Sequence, residues 1–170
     1  MWGTADEVLT WAEDRCPDGA TAGALAMLDA GSLPVSEQLR LIACWSRVRA
    51  WAEAVELRLT AQLAGPSPDS RDEAAALAGA TLRMSPMSAR NRVELAATLA
   101  ARLPGTLDAM EAGRIGLPHV RVMVEETAAL SWPDATAVED DVLSKGVDRT
   151  PASLRSMVRR RVLAIDPAAL

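Results

Sequence analysis

Residues 73–103, EAAALAGATLRMSPMSARNRVELAATLAARL, restrict the fold more than any other stretch. Ala and Leu carry little helix penalty, so Glu73 to Leu82 reads as a helix. Arg83-Met84-Ser85 interrupts it. Ser85 is a good N-cap and Pro86 suits the first helical position, where a missing N–H costs nothing, so a second helix runs from Pro86 to Leu103. Pro104 and Gly105 are expected to stop it. Two helices joined by about three residues have the spacing of a helix-turn-helix.

The material for the core points the same way. The chain has 170 residues, 49% of them hydrophobic, but no Phe and no Tyr. Its interior must be Ala, Leu, Val and Met with a few Trp, which favours close helix packing over a β-sandwich. We expect an all-α, multi-helical bundle of about seven or eight helices, with one long central helix and the helix-turn-helix-like pair.

The first 35 residues read as a short helical N-terminal arm, and residues 36–170 as the main helical domain. Thr4 caps a helix from Ala5 to Arg15, and Cys16-Pro17-Asp18-Gly19 turns the chain into a second helix, Ala22 to Ala30. Ser36 is expected to cap the longest helix, Glu37 to Ala64. Leu41, Trp45, Val48, Ala52, Val55 and Leu59 follow one another there at steps of about 4 and 3, a heptad stripe. The stripe suits a scaffold helix inside one domain, or the seam of a homodimer. Leu39, Ile42 and Trp51 lie off it, which predicts neighbours on two sides. Arg49 with Glu53 is expected to form an i,i+4 pair. After a loop at 65–70 and the helix pair come Thr106–Ala112, closed by Gly113, and a helix opened by Pro118. That helix is expected to bury Val120, Met123, Val124, Thr127 and Ala128, with Arg121 and Glu125 paired on its other side. An acidic helix runs from Pro133 to Gly146. Thr150-Pro151 starts the last helix, striped by Leu154, Val158, Val162 and Ile165. Asp166-Pro167-Ala168-Ala169 reads as a helix opening without a body, which makes the domain look cut short.

Charge narrows the partners. The formal net charge is −5, which argues against a generic nucleic-acid coat. Residues 1–85 carry 7 basic and 12 acidic side chains, and residues 86–170 carry 11 of each, so any phosphate-facing surface belongs to the second half. Cys16 and Cys44 form no CxxC motif and have a single histidine for company, so no metal site and no cofactor are expected. Reduced thiols and the lack of a leader-like N-terminus suggest the cytoplasm, and no stretch is apolar enough for a membrane span.

Several pieces together resemble the 13E12 repeat family, whose main part is a domain of unknown function, number 222. They are Ala101-Arg102-Leu103-Pro104, Leu107 with Ala112-Gly113-Arg114-Ile115, His119, and Leu163-Ala164-Ile165-Asp166-Pro167. The resemblance covers roughly Arg40 to Leu170. Members commonly carry this helical region ahead of a C-terminal HNH nuclease domain, which implies work on DNA. The sequence holds no HNH motif. Such a site needs a base His, a metal-binding His or Asp and an orienting Asn, and His119 is the single histidine.

The functional expectation is therefore a non-catalytic, DNA-associated helical module, with a protein-interaction or dimerisation module as the alternative. Ser88, Asn91 and Arg92 lie at i, i+3 and i+4 near the start of their helix, where a helix-turn-helix reads base edges. In a bundle the same residues would form a solvated face. Arg155, Arg159 and Arg160 make the densest basic group and are expected to share one side of the last helix, suited to phosphates or to the negative end of that helix. Arg161 is placed nearer the apolar stripe. Arg90 with Glu94 reads as a surface pair. Glu139, Asp140 and Asp141 read as a solvated acidic face, and the five Trp as packing anchors. A homodimer would use Leu41, Trp45, Val48, Val55 and Leu59.

Overall fold

A computed structural model describes residues 4–65, 67–145 and 148–167. Trp2, the expected helix stop at Gly146, and Ala168-Ala169 lie outside the described residues. Among those described there are nine α-helices, one short 3-10 turn and no strand. The helices are α1 (Ala5–Glu13), α2 (Gly19–Ala26), α3 (Val35–Ala64), α4 (Pro68–Leu82), α5 (Pro86–Arg102), α6 (Pro104–Glu111), α7 (Leu117–Glu126), α8 (Trp132–Ser144) and α9 (Pro151–Ile165). The 3-10 turn is Ala30–Ser32.

Side-chain caps explain where most boundaries fall. Thr4 and Glu7 form the reciprocal capping box of α1. Asp18 accepts the Thr21 amide at 2.7 Å, which starts α2 at Gly19, three residues before the expected Ala22. Ser67 caps α4 and places Pro68 at its first position, so the expected loop at 65–70 is already helical from Pro68. Ser36 caps nothing: α3 begins at Val35 behind Pro34, without a side-chain cap. Pro104 stops α5 but also opens α6 at once, because a proline that ends one helix is equally suited to start the next.

The main core joins the C-terminal half of α3 to α5–α9. It is built on Leu57, Leu99, Leu103, Leu107, Met110, Val120, Met123, Val138, Leu154 and Val158. The α4–α5 contact uses small residues: Ala74, Ala75, Ala89 and Val93 cluster with Ala64. A Cβ on Gly79 would stand 3.3 Å from that of Ala89. A separate cluster of Val8, Leu9, Ala12, Leu25, Leu41, Cys44 and Val48 fastens α1 and α2 to the N-terminal half of α3.

The long helix does not follow its heptad stripe. Leu41 and Val48 are buried, Val55 is half-buried, and Trp45, Ala52 and Leu59 are exposed. The buried series is Leu41, Cys44 and Val48, then Ala50, Ala54, Leu57 and Ala64. At 100° per residue these are two nearly opposite sides of one helix. The N-terminal half turns one side to α1 and α2, and the C-terminal half turns the other to α4, α5 and α6. Leu39 and Ile42, expected against a second neighbour, are exposed instead, at 62% and 65%. In α7 the inward residues are Val120, Val122, Met123 and Glu126, while Ala128 beyond it is exposed.

Candidate interaction surfaces

The arginines singled out from sequence are mostly engaged within the chain. Arg155 on α9 bridges Glu125 at 2.7 Å and Glu126 at 3.0 Å on α7. Arg159 donates through Nε to Glu126 at 2.7 Å. Glu126 is almost fully buried, so the two guanidiniums neutralise a carboxylate that would otherwise be costly to desolvate. The contact holds the Arg159 guanidinium above the usual arginine range. Arg161 turns to the other flank, where it meets Asp141 of α8 at 3.2 Å. Arg160 stands apart from both. It is exposed, without an acidic partner among the described residues, so the expected three-arginine side does not exist. The 3.6-residue period sends positions 159, 160 and 161 in three directions.

Helix α5 shows a similar correction. Arg92 pairs with Glu56 of α3 at 2.9 Å and is 18% exposed. Arg90 meets Asp72, and Glu94 meets Arg71, so the expected Arg90–Glu94 pair gives way to two bridges to α4. The Ser88 hydroxyl lies 2.8 Å from that of Ser85, within the cap of the helix. Asn91 remains exposed. Ser88, Asn91 and Arg92 nevertheless line one groove of about 670 Å³ between α5 and α7, with a floor of Leu95, Leu117 and Val124. Arg121 and Glu125 form its opposite rim, and Glu125 is the residue held by Arg155. The two groups chosen from sequence therefore lie on one continuous face, joined by α7. Arg92, Arg121, Arg155 and Arg159 are balanced there by Glu56, Glu94, Glu125 and Glu126.

Other arginines act as fasteners that the sequence did not announce. Arg40 grips Glu13 with two hydrogen bonds of 2.8 Å and Asp6 with a third, latching α1 to α3. These bonds, to Glu13 first and Asp6 second, hold Arg40 above its ordinary value and Glu13 below its own. Arg47 donates to the carbonyls of Ala12 and Glu13, the last two of α1, and to that of Arg15 just beyond it. Arg102 does the same for the end of α7 through Thr127 and Leu130. Among the described residues Arg49 meets no carboxylate, only the hydroxyl of Ser46 at 3.5 Å, so the expected Arg49–Glu53 pair is absent.

Glu139 overturns the reading of α8 as a solvated acidic face. It is 1% exposed, and its Oε1 accepts the amide of Thr106 at 2.5 Å, at the start of α6. Burial pushes its pKa up, opposed by hydrogen bonds from Thr106 and Gly105. Gly105 makes room for it, since a Cβ there would stand 3.2 Å from the carboxylate. His119 is tied at both nitrogens: Nδ1 accepts the Gly116 amide at 3.4 Å, and Nε2 faces the Arg149 carbonyl at 2.8 Å. The tautomer carrying its proton on Nε2 satisfies both. No group of three His, Cys, Asp or Glu side chains is placed to hold a metal ion among the described residues. None of their helices is long and apolar enough to cross a membrane.

An apolar face on the N-terminal half of α3 stands exposed, uncovered by any of the described residues. Val35, Leu39 and Ile42 are 71%, 62% and 65% exposed, and Trp45 39%. Ile42 and Trp45 of this set line a groove of about 890 Å³ that runs from Ala30 and Gly31 to Arg49. A second concavity shares Ser46 and Arg49 with it and continues to Gly116 and Leu117 at the start of α7.

No curated protein matches the chain, and no solved structure matches it. Residues 35–170 match the family described as Domain of unknown function (DUF222), a span that begins at the first residue of α3 and takes in every helix after it. The chain belongs to that family.

Proposed function

We propose that this chain is a non-catalytic helical module that docks on another protein surface through the N-terminal half of α3. One observation carries the reading. The side of α3 that buries Ala50, Ala54 and Leu57 in the core continues, toward the N-terminus, as exposed Val35, Leu39 and Ile42. Exposed apolar patches of this kind mark interaction surfaces. The tied nitrogens of His119 support the non-catalytic part. Site-specific photocrosslinking from position 39 in the native cells tests it. The expected result is a discrete adduct that is missing from a control at exposed Asp69. No adduct from position 39 would sink the reading.

DNA association is the second reading. It is favoured by the meeting of Ser88, Asn91, Arg155 and Arg159 on one face, but the internal ion pairs leave that face without a net positive charge. Asn91→Ala is the informative variant, because it lies on that face and removes no ion pair, and Arg160→Ala, off the face, is its control. Anisotropy with labelled duplex DNA at about 50 mM salt should show binding that weakens steeply by about 200 mM and drops in Asn91→Ala. A flat signal at low salt refutes it.

A further inference from the structure

We propose that the partner docked on this face of α3 is a second copy of the chain, packed antiparallel about a two-fold axis at Ile42. The inference rests on the docking reading above and names its occupant. A two-fold interface must be self-complementary: if residue i meets residue j, then j meets i. With the axis at Ile42, Leu39 meets Trp45 of the second copy, Gln38 meets Ser46, and Ile42 meets itself. Apolar faces apolar and polar faces polar at these three levels, while at each end Val35 lies level with Arg49, whose methylene stem packs on it and carries the guanidinium outward. Ala43 and Ser46, small and exposed beside Ile42, let the two helices approach closely.

Charge sets the register. Val35 and Arg49 close the two ends of the face, about 21 Å apart at the rise of an α-helix. Arg49 has no carboxylate partner among the described residues. At the other end stands the 3-10 turn, held level with Gln38 by hydrogen bonds from the Gln38 amide to Ala30 and Leu33. Asp29 caps that turn through the Gly31 amide and is itself exposed, with no cationic side chain bound to it among the described residues. The antiparallel register lays Arg49 of each copy beside the turn that carries Asp29 of the other. Both free charges are thereby matched, twice.

Sedimentation of the full chain across a concentration series tests the proposal. The face is small, so a weak dimer is expected, with mass doubling between about 1 and 200 μM. Ile42→Arg sets two cations at the axis and should leave a monomer whose melting curve equals that of dilute, monomeric wild type, since Ile42 is 65% exposed. Asp29→Arg or Arg49→Glu alone should weaken the dimer at least about tenfold, and the two together should restore it to within about threefold. Ile42→Cys, combined with Cys16→Ser, should crosslink under mild oxidation. A monomer at every concentration overturns the proposal, as does a dimer indifferent to Ile42→Arg, a charge swap without rescue, or no crosslink at the axis. An adduct from position 39 with the mass of some other protein, alongside a monomer in isolation, would leave the docking reading standing and remove self-association.

Discussion

Glu139 shows how far one side chain can depart from what its neighbours in sequence imply. Its setting, three acidic residues in a row on a helix, describes a wet surface. What decides otherwise is distant in the chain: α6 starts at Pro104 with open amides, and the Glu139 carboxylate reaches the one on Thr106. The geometry makes a pH prediction. Burial raises the folded-state pKa of Glu139 above the ordinary 4.5. A group raised in this way contributes stability that is fully present below its unfolded value and is lost as pH rises through the folded-state value. Glu139→Gln cannot ionise. The stability difference between variant and wild type, from urea titrations at several pH values, should therefore move in favour of the variant as pH climbs from about 4 to 8. A difference independent of pH would mean that the carboxylate is as well solvated folded as unfolded.

Among the helices, the junction of α4 and α5 was the most legible because local chemistry sets it, although α4 itself starts at Pro68 and not at Glu73. Ser85-Pro86 starts α5 as the sequence predicts, and Arg83-Met84-Ser85 is the break. Arg83 has φ 54 and ψ 41, a left-handed residue, and the Met84 amide bonds the Gly79 carbonyl at 2.9 Å, which closes the end of α4. That position suits glycine, and Arg83 is exposed. Arg83→Gly should therefore raise stability by about 0.5–1 kcal/mol, after the extra freedom glycine gives the unfolded chain. Calorimetry should find a melting point about 1–4 °C higher, and a lower one would contradict the left-handed cap. The apolar stripe of α9 was equally legible, since Leu154, Val158 and Val162 are all buried. The arginines were not. Composition counts guanidiniums but does not say which carboxylate each will meet, and Arg155 finds its partners on α7, about thirty residues earlier. The stripe of α3 misled for a related reason. A heptad describes one continuous partner, whereas this helix has one set of neighbours in its first half and another, on the far side, in its second.

That change of side gives the molecule two interiors. Val48 is the last fully buried residue of the small cluster, with half-buried Trp51 packed on it beyond, and Ala50 is the first residue of α3 buried in the main core. The smaller cluster rests on few large side chains, helped by the Arg40 and Arg47 latches at its rim, so it should open separately from the rest. Two cysteines report on it. Cys16 is exposed, while Cys44 is buried in the small cluster, where burial first and Glu13 second raise its thiol pKa. A thiol reagent should label Cys16 at once and Cys44 only through opening of the α1–α2 layer. The opening free energy read from the slow phase should lie at least about 1 kcal/mol below that of global unfolding, with a shallower dependence on urea because less surface is exposed. Labelling of Cys44 that tracks global unfolding in both respects would mean that the two clusters melt as one. If they do separate, α3 carries the main continuity between them, beside the close approach of Pro17 to Gly113, and the exposed face at Ile42 belongs to the half of the helix backed by the weaker layer. Docking there would stabilise that layer in particular, so Cys44 should be protected further as the chain is concentrated, and Ile42→Arg should abolish the added protection.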